Sequence, residues 1–347
     1  MDAESADIGA FRISVVLCTL NGAARLDRCL SAVQGQTLGH QLELIVVDDG
    51  STDNSAELAA AYGAEVIRHP VNRGQAAARN TGIAAARAPI IATLDDDCEP
   101  EPEWAERLLD GFREGVVGVG GTALPAPGDR YLDGYLERNN PLQPLEIDLA
   151  SSTRIVYRFA RYLIRNAQSR PSGPRSVHAF ATANGAFRTA VVRKLGGFDE
   201  NFLGGEGGED IDLCLRIGDE YGSGSLRFEP AAILRHHFAT DPRALLRRCR
   251  SYGTGAARLY CKRDDLPPTI FPFPALVAAL IVWSRGRPAR LAVALFVPQF
   301  LFSAGWRTAL RRHSLGPLLD CYVKLAEEAS LNVGFAIGLY RSRDRQA

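Results

Sequence analysis

No two of the seven cysteines stand as a CxxC pair, and their number is odd. Cys18, Cys29, Cys98, Cys214, Cys249, Cys261 and Cys321 are scattered, which excludes a zinc knuckle and a disulfide framework and leaves buried or half-buried free thiols. Net formal charge is zero, so bulk charge makes no case for nucleic acid. The opening residues, MDAESADIGAFR, are acidic and lack an apolar segment, so no cleavable secretory leader is expected and the working part should face the cytoplasm. What is present is a 46% hydrophobic content, which excludes disorder throughout, and 33 glycines, as expected where tight turns surround a ligand site.

Short runs of β-branched residues alternate with amphipathic segments over the first hundred residues. Ile13 to Cys18, Leu42 to Val47, Glu65 to His69 and Ile90 to Leu94 read as strands. Helices are expected where Leu26, Leu30 and Val33 share a face, from about Asn54 to Tyr62, and over Ala-rich Gln75 to Ala86. Further on, a helix is expected at Glu103 to Phe112, a strand at Val116 to Val119, strand or turn at Phe180 to Phe187, and a helix at Ile211 to Ile217. Residues 122–175 alternate between Pro/Gly breaks and short amphipathic pieces, and are expected to include a mobile region over the site. Strand, helix, strand, helix implies an α/β layer with a mainly parallel sheet. Ligands of such sheets bind at the carboxyl ends of strands, so Thr19, Asp48, Asp49 and the run Asp95-Asp96-Asp97 can converge.

Carboxylates at such a rim cannot hold a diphosphate directly; a divalent cation must lie between, and hard Mg²⁺ or Mn²⁺ prefers oxygen ligands. Asp95 to Asp97 can supply that site, one acid taking the metal and another a sugar hydroxyl; alone, such a triplet also suits a solvated turn. Asp48 or Asp49 can accept from a ribose hydroxyl or a base N–H, or cap the next helix. Arg79 can reach a phosphate or base carbonyl, or serve as an ion-pair partner. Asp210, at a helix start behind the glycine-rich loop 202–208, suits a base removing a proton from an acceptor hydroxyl, with helix capping as the alternative. His236 or His237, after the apolar run Phe228 to Leu234, can complete a metal shell; Trp104, Asn184 and Phe198 are candidates to shape sugar and acceptor pockets.

Beyond about residue 240 the character changes. Between Arg243 and Arg312 stand 13 Lys/Arg and only two acids, Asp264 and Asp265. Two apolar runs of 16 residues, Thr269 to Ser284 and Leu291 to Trp306, would each extend about 24 Å as helix, short of the roughly 30 Å hydrocarbon core. With Arg285, Arg287 and Arg290 between them, they read as interfacial or re-entrant helices at anionic headgroups; a hydrophobic hairpin buried in a dimer or against the main domain is the alternative.

The segments VVLCTLNGAARLDRCLSAVQGQ, IVVDDGSTDNS, HPVNRGQAAARNTGIAAARAPIIATLDDDCEP, ATANGAFRTAVVRKLGGFDENF and GGEDIDLCLR, in this order across about 13–217, resemble the inverting family-2 glycosyltransferases of GT-A fold. The resemblance implies a GT-A domain over 1–240, donor-binding at about 11–120 and acceptor-facing at 121–240, followed by a basic, hydrophobic helical region over 241–347. It implies nucleoside contacts from Thr19 and Asp48 or Asp49 with Arg79 nearby, Asp95 and Asp97 as outer acids of a DxD pattern, and Asp96 toward the ribose or metal shell. Asp97 and His236 would hold Mn²⁺ or Mg²⁺, and Asp210 would be the base. The QxxRW motif of processive relatives is absent, so one sugar per encounter is expected, from a UDP-sugar by default to a glycan or lipid-linked acceptor at the cytoplasmic face of the membrane. A nucleotidyltransferase and a non-catalytic sugar-nucleotide-binding protein of the same fold are the rival readings; neither the acceptor nor an oligomeric state is assigned by the sequence.

Overall fold

Apolar β-branched runs too short for helices bury themselves by pairing in parallel, and this sets the centre of the molecule. The computed structural model describes residues 11–145, 172–202, 206–302 and 304–344. Strands β1 (Ile13–Thr19), β2 (Leu42–Asp48), β3 (Glu65–Arg68) and β4 (Ile90–Asp95) alternate with helices α1 (Ala23–Gln34), α2 (Ser55–Ala61) and α3 (Gln75–Ala85), as the sequence pattern predicts. Val15 to Leu17 and Ile45 to Val47 are wholly enclosed, and Leu26, Leu30 and Val33 fix α1 on the sheet.

The second half of the sheet is mixed. After β5 (Cys98–Pro100) and α4 (Trp104–Asp110) come β6 (Gly118–Pro125), α5 (Tyr131–Arg138), β7 (Arg175–Ser176), β8 (Asn184–Arg188), α6 (Thr189–Lys194), α7 (Glu209–Tyr221) and β9 (Leu226–His236). The order is β3-β2-β1-β4-β8-β6-β9-β5, with β7 also on β9. The first four strands are parallel, β8 runs antiparallel between β4 and β6, and β9 lies parallel to β6. Strand β6 lies later than the Val116 to Val119 expected. Its glycines are sites of close approach: a Cβ on Gly120 would sit 2.3 Å from the Phe180 ring. Of the region expected to be mobile, residues 122–145 hold the end of β6 and α5, while 146–171 lie outside the described residues.

The basic tail continues as α8 (Pro242–Lys262), α9 (Phe273–Ser284), α10 (Pro288–Leu301), α11 (Ala304–Arg312) and α12 (Asp320–Asp344). Asp241 caps α8, accepting from the Ala244 N–H at 2.9 Å, with Pro242 in the first turn. Helices α8 and α12 cross on small residues. A methyl on Gly253 would fall 2.1 Å from the Leu331 carbonyl oxygen, and one on Gly334 2.0 Å from that of Arg250. Helix α12 is also bound to α5, through Tyr135 donating to Glu327 (2.6 Å) and a two-pronged Arg138–Asp320 pair (2.7 and 2.8 Å).

The apolar runs become α9 and α10, which pack on each other and on α12, with Phe273 and Phe302 edge to face. Their outer faces are open: Val282, Phe300 and, on α11, Leu310 are 73–79% exposed. Among the described residues no single helix is long and apolar enough to cross a membrane. Pro288–Leu301 and Gly305–Arg311 meet that test only jointly, as a pair bent by 75°.

Candidate active site

Parallel pairing brings the acid-bearing strand ends to one rim. Thr19 lies in register with Asp48, and Cys18 with Asp95. Most carboxylates there are held by internal partners. Asp48 accepts the Ser51 N–H (2.8 Å), and its second oxygen faces Arg68 at 3.2 Å without an aligned hydrogen bond. Asp49 accepts the backbone N–H groups of Arg73 (2.9 Å) and Gly74 (2.8 Å) and pairs with His69 (2.7 Å), so it shapes the 72–74 turn. Asp96 receives Thr19 Oγ1 (2.7 Å) and the Nε and Nη2 of Arg25 (3.1 and 2.9 Å). Only glycine fits at 22, because a Cβ there would lie 2.1 Å from Thr19 Oγ1 and 2.2 Å from an Asp96 oxygen.

Arg79 ties the rim to the glycine-rich loop's helix. Buried at 3% exposure, it donates to Asp95 (2.9 Å) and to Glu209 (2.8 Å), with its guanidinium over the Phe198 ring. Asp95 and Asp210's neighbour Glu209 are thus one guanidinium apart, and the ion-pair reading of Arg79 is the one realised. Gln75 completes the shell of Asp95 at 2.9 Å.

A second group is less satisfied. Strand β5 pairs with β9 so that Cys98 stands opposite His236. Asp97 Oδ1 lies 3.5 Å from His236 Nε2, and with Cys98 Sγ these atoms fall within 4.8 Å of one another. Burial, with Asp95 and Asp96 adding like charge, pushes the Asp97 carboxyl up to about 7. Burial pulls His236 down to about 4, leaving it neutral at pH 7, and its Nδ1 is enclosed without a partner among the described residues. A neutral His236 and the Asp97 carboxyl, which a bound cation would draw to its ionised form, fit a divalent cation. Burial holds the Cys98 thiol well above its ordinary range, so it stays protonated and is a poor ligand for a hard ion. The other histidine turns away, pairing with Glu99 at 3.1 Å.

Asp210 stands in the first turn of α7, half-buried, its Oδ1 accepting the Ile211 N–H at 2.7 Å. Burial raises its affinity for a proton. Glu209 is raised by burial and by Asp210 against the opposing pull of Arg79, and its Oε2 has no partner among the described residues. Over this group lies α8: Tyr252 senses the charges of both Asp210 and Asp95, and the Arg248 guanidinium stacks 4.7 Å from the Phe238 ring. Sequence patterns gave no warning of Cys98, Arg25, Arg248 or Tyr252. Trp104 and Asn184 face inward instead of lining a sugar pocket: the indole N–H donates to Asn184 Oδ1 at 2.7 Å inside the core, while Phe198 lies under Arg79.

A mixed sheet of this order with an acidic rim is the GT-A fold. The model of glycosyl transferase family 2 matches residues 14–196, more than half of the 347, and the chain belongs to that family. A pre-mycofactocin glycosyltransferase of Mycobacterium tuberculosis is 34% identical over 291 residues, covering 82% of this chain and 56% of the relative. A validoxylamine A glucosyltransferase of Streptomyces hygroscopicus subsp. jinggangensis is 30% identical over 225 residues, covering 59% of this chain and 51% of the relative. The chain therefore spans about half the length of the curated relatives it matches. A mannosyltransferase of Pyrobaculum calidifontis, solved with GDP-Man and Mn²⁺, superposes with a TM-score of 0.57 over 96% of this chain and 88% of that one. At 17% identity that likeness is one of fold.

Proposed function

We propose that this chain transfers a single sugar, with inversion, from a nucleotide-sugar donor to an acceptor hydroxyl. The observation that supports the reading is the Arg79 bridge, in which Asp95 of the acidic run and Glu209, the neighbour of Asp210, lie 2.9 and 2.8 Å from a single guanidinium. Asp97 and His236 are the residues that would hold Mn²⁺ or Mg²⁺, and such an ion, when bound, offsets the negative charge of a diphosphate. Asp210 takes the acceptor proton; its raised proton affinity suits a base working near neutral pH better than an ordinary aspartate would. Thr19, Asp48, Asp49 and Asp96 build the nucleoside end through the bonds that hold their loops. UDP-sugar is the default donor, with GDP- and dTDP-sugars open.

The open apolar faces of α9 to α11, interleaved with arginines, support a peripheral or monotopic seat on an anionic membrane. A lipid-linked glycan or envelope polysaccharide precursor suits an acceptor met there. Because α12 is bound to α5 and α8, deleting everything past 265 would remove a folding element. The sharper test replaces Val282, Trp283, Phe296 and Phe300 by Gln and measures cosedimentation with anionic vesicles; undiminished binding would exclude this seat.

The test of the function itself is calorimetric titration of UDP-, GDP- and dTDP-sugars with and without Mn²⁺, on the native chain and on Asp97→Ala. One donor class should bind only with metal, and that dependence should vanish in the variant. Unchanged metal-dependent binding in Asp97→Ala would remove the metal assignment, and no nucleotide binding by the native chain would remove the function.

A further inference from the structure

We infer that Arg248, carried on α8, is a phosphate contact of this site. Guanidinium groups near the cleft are otherwise paired with carboxylates: Arg25 with Asp96, Arg79 with Asp95 and Glu209, Arg258 with Glu206. Arg248 differs. Its Nε and Nη2 are buried, yet neither has a hydrogen-bond partner among the described residues. Those two nitrogens form the side-on edge of the fork, the same edge that Arg25 offers to Asp96. Residue 248 as a whole is half-buried, but buried N–H groups of a cation left without an acceptor are costly, so the arrangement calls for an anion from outside the chain.

The position is set by stacking. Arg248 lies 4.7 Å from the Phe238 ring, and that ring stacks on His236 at 4.0 Å with a 15° tilt. Stacking fixes the plane of the guanidinium and leaves its in-plane N–H groups free to bind. Through His236 the stack continues to Asp97, 3.5 Å away. Its positive charge is felt by both His236 and Tyr252, so it lies within electrostatic reach of the metal-capable pair and of the tyrosine that senses Asp210. An anion held here would lie beside the same stack as a cation held by Asp97 and His236, as the successive phosphates of a diphosphate require. The helical tail would then complete the site that the sheet begins.

This inference rests on the transferase reading, which supplies two sources of phosphate: the leaving diphosphate of the donor, or a phosphate on a lipid-linked acceptor. The experiment titrates the native chain, Arg248→Gln and Arg248→Lys with UDP and UMP, GDP and GMP, dTDP and dTMP in Mn²⁺, and with farnesyl phosphate. For a donor contact, Arg248→Gln should weaken the bound diphosphate by about ten- to a hundredfold and leave the monophosphate within about twofold, with Arg248→Lys in between. For an acceptor contact, the nucleotides are unaffected and farnesyl phosphate alone is lost. Equal weakening of mono- and diphosphate, or no weakening of any probe, overturns the assignment. If Arg248→Gln does not fold, Arg248→Lys and Phe238→Leu, which removes the stacking platform, are read by the same criteria. A native chain that binds no nucleotide sinks the transferase reading and this inference with it; nucleotide binding equal in native and Gln variant, with farnesyl phosphate also unchanged, sinks this inference alone.

Discussion

The two sides of the cleft differ in how far their polar groups are satisfied from within. On the side of β1 and β2, Asp49 and Asp96 each have three internal contacts, from backbone N–H groups, a histidine, a threonine or an arginine. On the side of β5, β9 and α8, Asp97, His236 Nδ1, Glu209 Oε2 and Arg248 are left short of partners or of opposite charge. Apart from one Asp48 oxygen that faces Arg68 at 3.2 Å, the first side is a finished scaffold that presents backbone and loop shape to a ligand. The second keeps its unmet charge for the ligand itself, and there burial raises Asp97 and Asp210 and lowers His236.

The strongest way to break this contrast is at its seam. Arg79→Met leaves buried Glu209 and half-buried Asp95 without their cation and should cost about 3–5 kcal/mol, read as a lower urea midpoint. A midpoint close to that of the native chain would mean the bridge is not structural. Asp210→Asn should do the opposite, cutting transfer by roughly 10²–10⁴ while leaving the unfolding midpoint and donor affinity nearly unchanged, since burial already disfavours its charge. Full activity in that variant would exclude it as base.

The contrast is sharpened by pH. With the Asp97 carboxyl near 7, protons compete with the cation, so Mn²⁺ affinity should fall by about tenfold per unit as pH drops below 7. His236, already neutral down to about 4, adds nothing to that slope above pH 5. A flat affinity between pH 5.5 and 7.5 would place the ion elsewhere. The smallest effect is expected on the finished side: Gly22→Ala forces apart the Thr19–Asp96 contact and should cost about 1–3 kcal/mol in stability with little change in kcat.

How much of this was legible in the sequence follows from range. Strands β1, β2 and β4 and helices α1 and α3 declare themselves by local period and propensity, and the acids by their place at strand ends. Strand β6 extends beyond the expected span because its glycines carry no strand signal; they admit close neighbours, Phe180 at Gly120, Leu226 and Phe187 at Gly118, and the Ala232 carbonyl at Gly121. The pairing of Arg79 with both acid groups spans 16 residues to Asp95 and 130 to Glu209, beyond any local pattern. Arg248 was invisible for another reason. In a helix as basic as RALLRRCR, nothing but tertiary packing distinguishes the arginine that stacks on Phe238 from its solvated neighbours.

Where α8 passes the loop before α7, backbone meets backbone: a Cβ on Gly255 would lie 1.3 Å from the carbonyl oxygen of Gly207. A hybrid that joined this catalytic half to a relative's tail would have to reproduce that contact before any sugar specificity could be compared. Beside the Tyr135–Glu327, Arg138–Asp320 and Arg258–Glu206 side-chain links, parts exchange in this protein therefore meets a main-chain touch two residues upstream of the Glu209–Asp210 pair.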